Sequence, residues 1–199
     1  MMENANSREK ILEEAERLFF ACGYDGVGVS EIARAAGITK PTLYYFFQSK
    51  EGLLQTIVEE RNTILINNLS SSAKYIPCQD HYDADVHPVL CKVVRTYFSF
   101  AQKYPTFYLF LLAQSFAPPT AKATKVVLPF LEKQYQIVTD LFIAISRAHG
   151  RTDGQEYVRA MSFISMINAV VALWYHGHGS LDDGAMQTLV HRYMHGIFA

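Results

Sequence analysis

Seven side chains of zinc-binding type crowd into residues 78–91: Cys78, Asp80, His81, Asp83, Asp85, His87 and Cys91. His87 and Cys91 stand one helical turn apart, a spacing that brings an imidazole and a thiolate to one side of a helix. The set has no paired Cys-x-x-Cys, however, and half of it falls in SSSAKYIPCQDHYDA, a stretch with turn chemistry. A solvated acidic loop running into a helix start accounts for it, and no metal or other cofactor is expected. His176-Gly177-His178 likewise reads as a helix end. No glycine-rich phosphate loop or activated nucleophile is visible, so the chain does not read as an enzyme. A metal-responsive sensor using the Cys78–Cys91 cluster is the competing reading.

A second group of residues suggests different chemistry. GITKPTLYYFFQSKEGL, residues 37–53, places a proline near a helix start and four aromatics in a row. At about 100° per residue, Leu43 and Phe47 share one face and are expected to pack on Ile32 and Ile38. Pro41, Thr42 and Tyr45 then point away from that core, with Lys40, Tyr44 and Phe46 on its flanks. Such a face suits a DNA groove. Proline and the threonine methyl can contact thymine methyls, lysine and the threonine hydroxyl can reach base edges, and tyrosine hydroxyls can donate to phosphates. Lys50 falls at the next helix's N-terminus, where its ammonium and the free N–H groups both favour a phosphate.

The elements that must position these residues read as helix throughout. Asn6 and Glu9 resemble a capping box before Ile11, Leu12, Ala15, Leu18 and Phe19, and Gly23 ends that helix. A short helix over 29–36 closes at Gly37, Thr39 caps the next, and Ser49 caps a longer one over 50–69. Ala33 and Ala36 are small enough for the second and third helices to cross closely. After the loop, helices are predicted over 85–103, 105–116, 120–149, 155–177 and 182–198, with Pro129 inside one and Ser180 and Asp183 as a capping pair. The fold class is all-α: an N-terminal three-helix helix-turn-helix domain over 1–52 and a larger C-terminal helical domain over 53–199, about nine helices in all.

Residues 9–53 resemble the DNA-binding domain of the tetracycline-repressor (TetR) family, the matching pieces lying along ILEEAERLFFACGYDGVGVSEIARAAGITKPTLYYFFQSKEGLL. The resemblance implies a homodimeric transcriptional regulator, most simply a repressor, on a double-stranded palindromic operator. The C-terminal domain of that family is variable, usually dimerises through its last two helices and holds a small-molecule effector. The family's DNA-contact positions fall on Lys40, Pro41, Thr42, Tyr44, Tyr45 and Lys50, with Ser30 joining from the second helix. Two residues depart from the pattern: Phe46 stands where the family often has histidine, and Gly28 where it often has threonine.

Charge makes the attraction local. The chain carries net charge −1 and residues 1–52 sum to −2, but residues 30–50 sum to +2. One domain should therefore bind DNA weakly, and two reading helices about one helical turn of DNA apart would repair that.

Eight aromatics lie between Tyr97 and Phe116, more than one helix face can bury. They imply a thick core, an interface or a largely apolar effector pocket, whose polar handles would be Tyr97, Tyr108, Gln114, Asn168 and His176. A DNA-binding dimer with no effector is the alternative, with the aromatics simply filling the core. Met186, Leu189, Val190, Tyr193 and Ile197 form a stripe on the last helix, and Val158, Met161, Ser165, Ala169 and Ala172 line the one before. Together they suit a four-helix interface between two subunits.

The longest apolar run, Phe163 to Tyr175, is thirteen residues and contains Ser165 and Asn168. That is short of the roughly 20 residues of a span, so no membrane role is expected. The polar MMENANSREK start and three unpaired cysteines fit a soluble cytoplasmic protein.

Overall fold

Helical spacing in the sequence becomes helix along the described chain. The computed structural model describes the backbone of residues 2–78 and 82–196, and the side chains of 6–78 and 84–196. Among these lie nine helices and no strand: α1 (Met2–Cys22), α2 (Val29–Ala35), α3 (Lys40–Phe47), α4 (Lys50–Ser72), α5 (Tyr82–Lys103), α6 (Pro105–Ser115), α7 (Lys122–Ala148), α8 (Glu156–Tyr175) and α9 (Asp183–His195).

Element boundaries depart from expectation where side chains bond in ways a pattern does not reveal. α1 begins at Met2 rather than at the Asn6–Glu9 pair, because no proline or glycine stops the helix upstream. α4 runs on to Ser72: the hydroxyls of Ser71 and Ser72 donate back to the carbonyls of Asn67 and Asn68, at 3.0 and 2.9 Å, and satisfy themselves within the helix. α9 is capped by Asp182, not by a Ser180–Asp183 pair. Its carboxylate accepts from the Ala185 N–H and the Ser180 hydroxyl, both at 2.8 Å, and those donors hold its pKa below the ordinary carboxylate value. Pro129 lies inside α7 as expected, and Pro88 inside α5.

The chain divides into two compact units, residues 1–62 with 106–131, and 63–105 with 132–199. α4 and α7 each contribute residues to both. In the first unit Ile11, Ala15, Ile32, Leu43 and Leu53 are wholly buried. Arg61 and Glu16 clamp α4 to α1 through a half-buried ion pair at 3.0 Å. In the second unit α9 packs on α5 and α8, and its apolar stripe turns inward. Met186, Leu189 and Val190, expected at a subunit interface, are core residues of this unit at 4% exposure or less. Ile197 lies outside the described residues.

A buried carboxylate ties three segments of the second unit together. Asp85 accepts from the Tyr75 hydroxyl at 2.6 Å and from the Cys78 N–H at 2.7 Å, and His149 Nε2 lies 3.1 Å away. The segment after α4, the start of α5 and the end of α7 therefore meet at one side chain. Burial works against charge at Asp85, but these donors outweigh it and hold its pKa below the ordinary carboxylate value. A depressed folded-state pKa contributes stability that is complete above the unfolded-state value and is lost as pH falls through the folded one. Asp85→Asn is therefore expected to lower the melting temperature at pH 7, and the gap from the parent should narrow at pH 3, as read by thermal unfolding at both pH values.

Candidate nucleic-acid interface

The turn between α2 and α3 is built from backbone bonds that require its sequence. The Ile38 N–H donates to Ala33 O at 2.9 Å and the Gly37 N–H to Arg34 O at 3.2 Å, the double closure that ends a helix in a left-handed residue. Gly37 supplies that residue at φ +66°, which costs a side chain but not glycine. Thr39 then caps α3: its hydroxyl oxygen accepts from the Thr42 N–H at 3.4 Å and lies 2.8 Å from the Thr42 hydroxyl. Pro41 sits in the first turn, where its missing N–H has no intrahelical role. Gly28 holds the N-cap position of α2 in an extended conformation, without a side-chain bond.

Burial divides the aromatic run. Leu43 and Phe47 are buried at 0% and 5%, with Ile32 and Ala33 of α2 buried beside them, whereas Tyr44 and Tyr45 are 46% and 77% exposed. Lys40, Pro41 and Ser30 are exposed and Thr42 is half-buried. Phe46 is half-buried between its neighbours, edge-on to Tyr45 at 5.2 Å and tilted against Phe47 at 6.1 Å. α3 thus presents a continuous exposed face of Lys40, Pro41, Tyr44 and Tyr45.

The junction to α4 is tighter than sequence suggests. Gln48 adopts φ +61°, the one non-glycine residue with positive φ among those described, and the Ser49 N–H reaches back to Phe47 O at 2.6 Å. Ser49 caps α4 by accepting from the Gly52 N–H at 2.9 Å. A Cβ on Gly52 would lie 2.3 Å from Phe47 O, so the close approach of the two helices depends on that glycine. No glycine or asparagine at position 48 announces the turn.

Lys50 has a partner that the sequence reading missed. Its ammonium lies 4.1 Å from the centre of the Tyr24 ring and 5.9 Å from that of Phe19. Burial lowers its pKa, against the opposing pull of Asp25. Tyr24 is itself buried against Phe19. The phosphate-facing residue expected at the α4 N-terminus is thereby held on the α1–α2 corner.

The other expected sites lie apart from this face. Tyr108 and Gln114 are on α6 in the first unit; Tyr108 is buried, and Gln114 accepts from the Thr124 hydroxyl at 3.2 Å. Tyr97, Asn168 and His176 are in the second unit. Tyr97 is fully buried, and that burial raises its pKa. Asn168 is half-buried, and His176 is exposed at the C-cap of α8. A groove of about 410 Å³ opens elsewhere in that unit, among Leu90, Phe142, Ile145, Ser146, His149 and Tyr193, and none of the five lines it. Of the zinc-type cluster, Asp80 and His81 lie outside the described residues, as does the side chain of Asp83. Asp85 is taken up by Tyr75, Cys78 and His149, and burial pushes the Cys91 thiol up. Among the described residues no three such groups gather as for a metal ion.

α8 is long and apolar enough, by length and composition alone, to cross a membrane. Ala160, Phe163, Ile164, Ile167 and Val171 are nevertheless buried in its own unit. Its opposite side keeps Tyr157, Val158 and Leu173 more than half exposed, alongside exposed Ser165 and Ala169 and half-buried Met161 and Ala172.

A capped, eight-residue helix held over a second short helix by a glycine turn defines a helix-turn-helix protein. Residues 11–57 match the family model described as bacterial regulatory proteins, tetR family. The biofilm operon icaADBC HTH-type negative transcriptional regulator IcaR of Staphylococcus aureus is 35% identical over 69 residues, 33% of this chain and 37% of that protein. The matched part thus spans little more than a third of that curated relative. Over nearly the whole chain the fold is that of two solved regulators. FadR from Bacillus subtilis in complex with stearoyl-CoA has a TM-score of 0.74 at 18% identity, covering 95% of this chain and 98% of that one. The TetR family regulator PfmR from Thermus thermophilus has a TM-score of 0.70 at 20% identity, covering 94% and 98%. Residues 11–57 thus resemble the DNA-binding part of the tetR family, and the remainder shares the fold of such regulators.

The division of α3 into buried and exposed residues has a direct consequence for stability. Leu43→Ala is expected to cost about 2–5 kcal/mol, and Tyr45→Ala less than about 0.5 kcal/mol, in urea unfolding.

Proposed function

We propose that the protein is a cytoplasmic DNA-binding repressor, acting as a homodimer on a palindromic operator and released by a small, largely apolar effector. The observation that carries this reading is the exposed Lys40–Pro41–Tyr44–Tyr45 face of α3, anchored from behind by Leu43 and Phe47. Thr42 and Ser30 extend that face, and Lys50, seated on Tyr24, meets a phosphate at its edge. The naming of IcaR as a negative regulator favours repression. Residues 1–52 would form the reading head and 53–199 the effector and dimerisation domain.

The exposed apolar side of α8 fits the subunit interface. Its small Ser165, Ala169 and Ala172 permit close approach of a second copy, and Val158 and Leu173 supply area to bury. Of the α9 stripe, Met186, Leu189 and Val190 are core and the Tyr193 hydroxyl donates to Arg159 O at 2.8 Å, so the interface falls mainly to α8. FadR was solved with stearoyl-CoA, which fits an apolar effector here. The groove floored by Leu90, Phe142 and Ile145, with Ser146, His149 and Tyr193 in its lining, is the cavity such an effector would take. An effector that binds the DNA-incompetent form about 10⁴-fold more tightly moves nearly all molecules between states.

Tyr44→Ala and Lys50→Ala are expected to weaken operator binding with little change in folding. A gel-shift titration on operator fragments selected by the purified protein checks this, and unchanged affinity in both variants removes the reading-head assignment. Leu173→Asp is expected to convert dimer to monomer in sedimentation; a dimer unaffected by it places the interface elsewhere.

A further inference from the structure

A groove of about 410 Å³ in the second unit lies between the last turns of α4 and the outer side of α5, distinct from the groove floored by Leu90. Its α5 wall carries Lys92, Arg95 and Lys103, with Thr96 and Ser99 between them. At about 100° per residue these five positions fall within an arc of roughly 100°, so the three cations share one side of the helix over about 16 Å. Asn68 and Ser72 of α4 face them, and the Thr96 hydroxyl donates to Ser72 at 2.9 Å across the groove.

The charge here is locally unbalanced in a chain whose net charge is −1. Arg95 meets Asp183 at 2.9 Å, but both side chains are largely exposed and the pair is screened by water. The Lys103 ammonium lies 5.2 Å from the centre of the Tyr104 ring. Neither Lys92 nor Lys103 has a carboxylate partner among the described residues. Like charges lined along one concave face repel one another unless an anion sits between them. The remaining wall is half-buried Ile64 and Tyr104, the latter packed on buried Phe100 at 5.1 Å, and is apolar enough to suit a planar ring.

We propose that this groove binds a phosphorylated small molecule with a planar body, a nucleotide in its general chemistry. Phosphate groups would lie against the cations and the Asn68 and Ser99 polar groups, with the ring over Ile64 and Tyr104. None of these residues belongs to the α3 face, so the site stands or falls independently of operator binding.

The test is calorimetric titration of the full chain with adenosine diphosphate, inorganic pyrophosphate and adenosine, at low salt and again at high salt. Adenosine diphosphate is expected to bind with salt-sensitive affinity, pyrophosphate more weakly, and adenosine least. Lys92→Ala with Lys103→Ala should weaken adenosine diphosphate binding about tenfold or more, and the paired arginine variants should restore it. Both lysines are exposed, so thermal unfolding should be unchanged and a lost affinity is not a lost fold. The proposal is overturned if neither phosphate compound binds at millimolar concentration, if the double variant binds as the parent does, or if adenosine binds as tightly as its diphosphate.

Discussion

Everything that α3 presents to the outside depends on two side chains that it hides. A helix of eight residues is too short to persist alone in water, because nucleation costs more than so few hydrogen bonds return. Burial of Leu43 and Phe47 supplies what the backbone lacks, and by doing so it also fixes the rotation of the helix about its axis. Once those two are inward, Tyr44 and Tyr45 have no other place than the surface. Loss of the anchor would therefore remove the helix and its orientation together.

Much of this was legible from residue types alone. Gly37, Thr39 and Pro41 each solve a local backbone problem that depends on no distant contact, and the structure uses each as its chemistry suggests. The helices were legible for the same reason, since proline and glycine punctuate them directly. What escaped was decided by partners far away in sequence. Asp85 reads as one more acid where a polar loop runs into a helix start until His149, 64 positions on, is seen beside it. Lys50 reads as a phosphate-facing cation with no protein partner until Tyr24 is brought under it. The α9 stripe was legible as apolar, but periodicity does not say whether the surface covering it belongs to the same chain. Packing on α5 and α8 answers that for Met186, Leu189 and Val190.

Phe46 illustrates how a single polar-to-apolar change is absorbed. On a flank of α3 it neither enters the core nor stands free; it fills the space between Tyr45 and Phe47 as the middle of three rings. Edge-to-face contact of this kind restrains the outer tyrosine at little entropic cost, since aromatic side chains have few rotamers to lose. A hydrogen-bonding histidine would offer a contact to phosphate, whereas phenylalanine offers a stiffer Tyr45.

The junction between α3 and α4 bears on how any signal would travel. A left-handed Gln48, a short closure onto Phe47 and a glycine pressed against the same carbonyl crowd this joint. Were the two helices to move as one body across this joint, a tilt of the first turn of α4 would carry α3 with it. In mechanical terms the reading helix is the short arm of a bent lever, and its fulcrum is a backbone contact no wider than one missing methyl group.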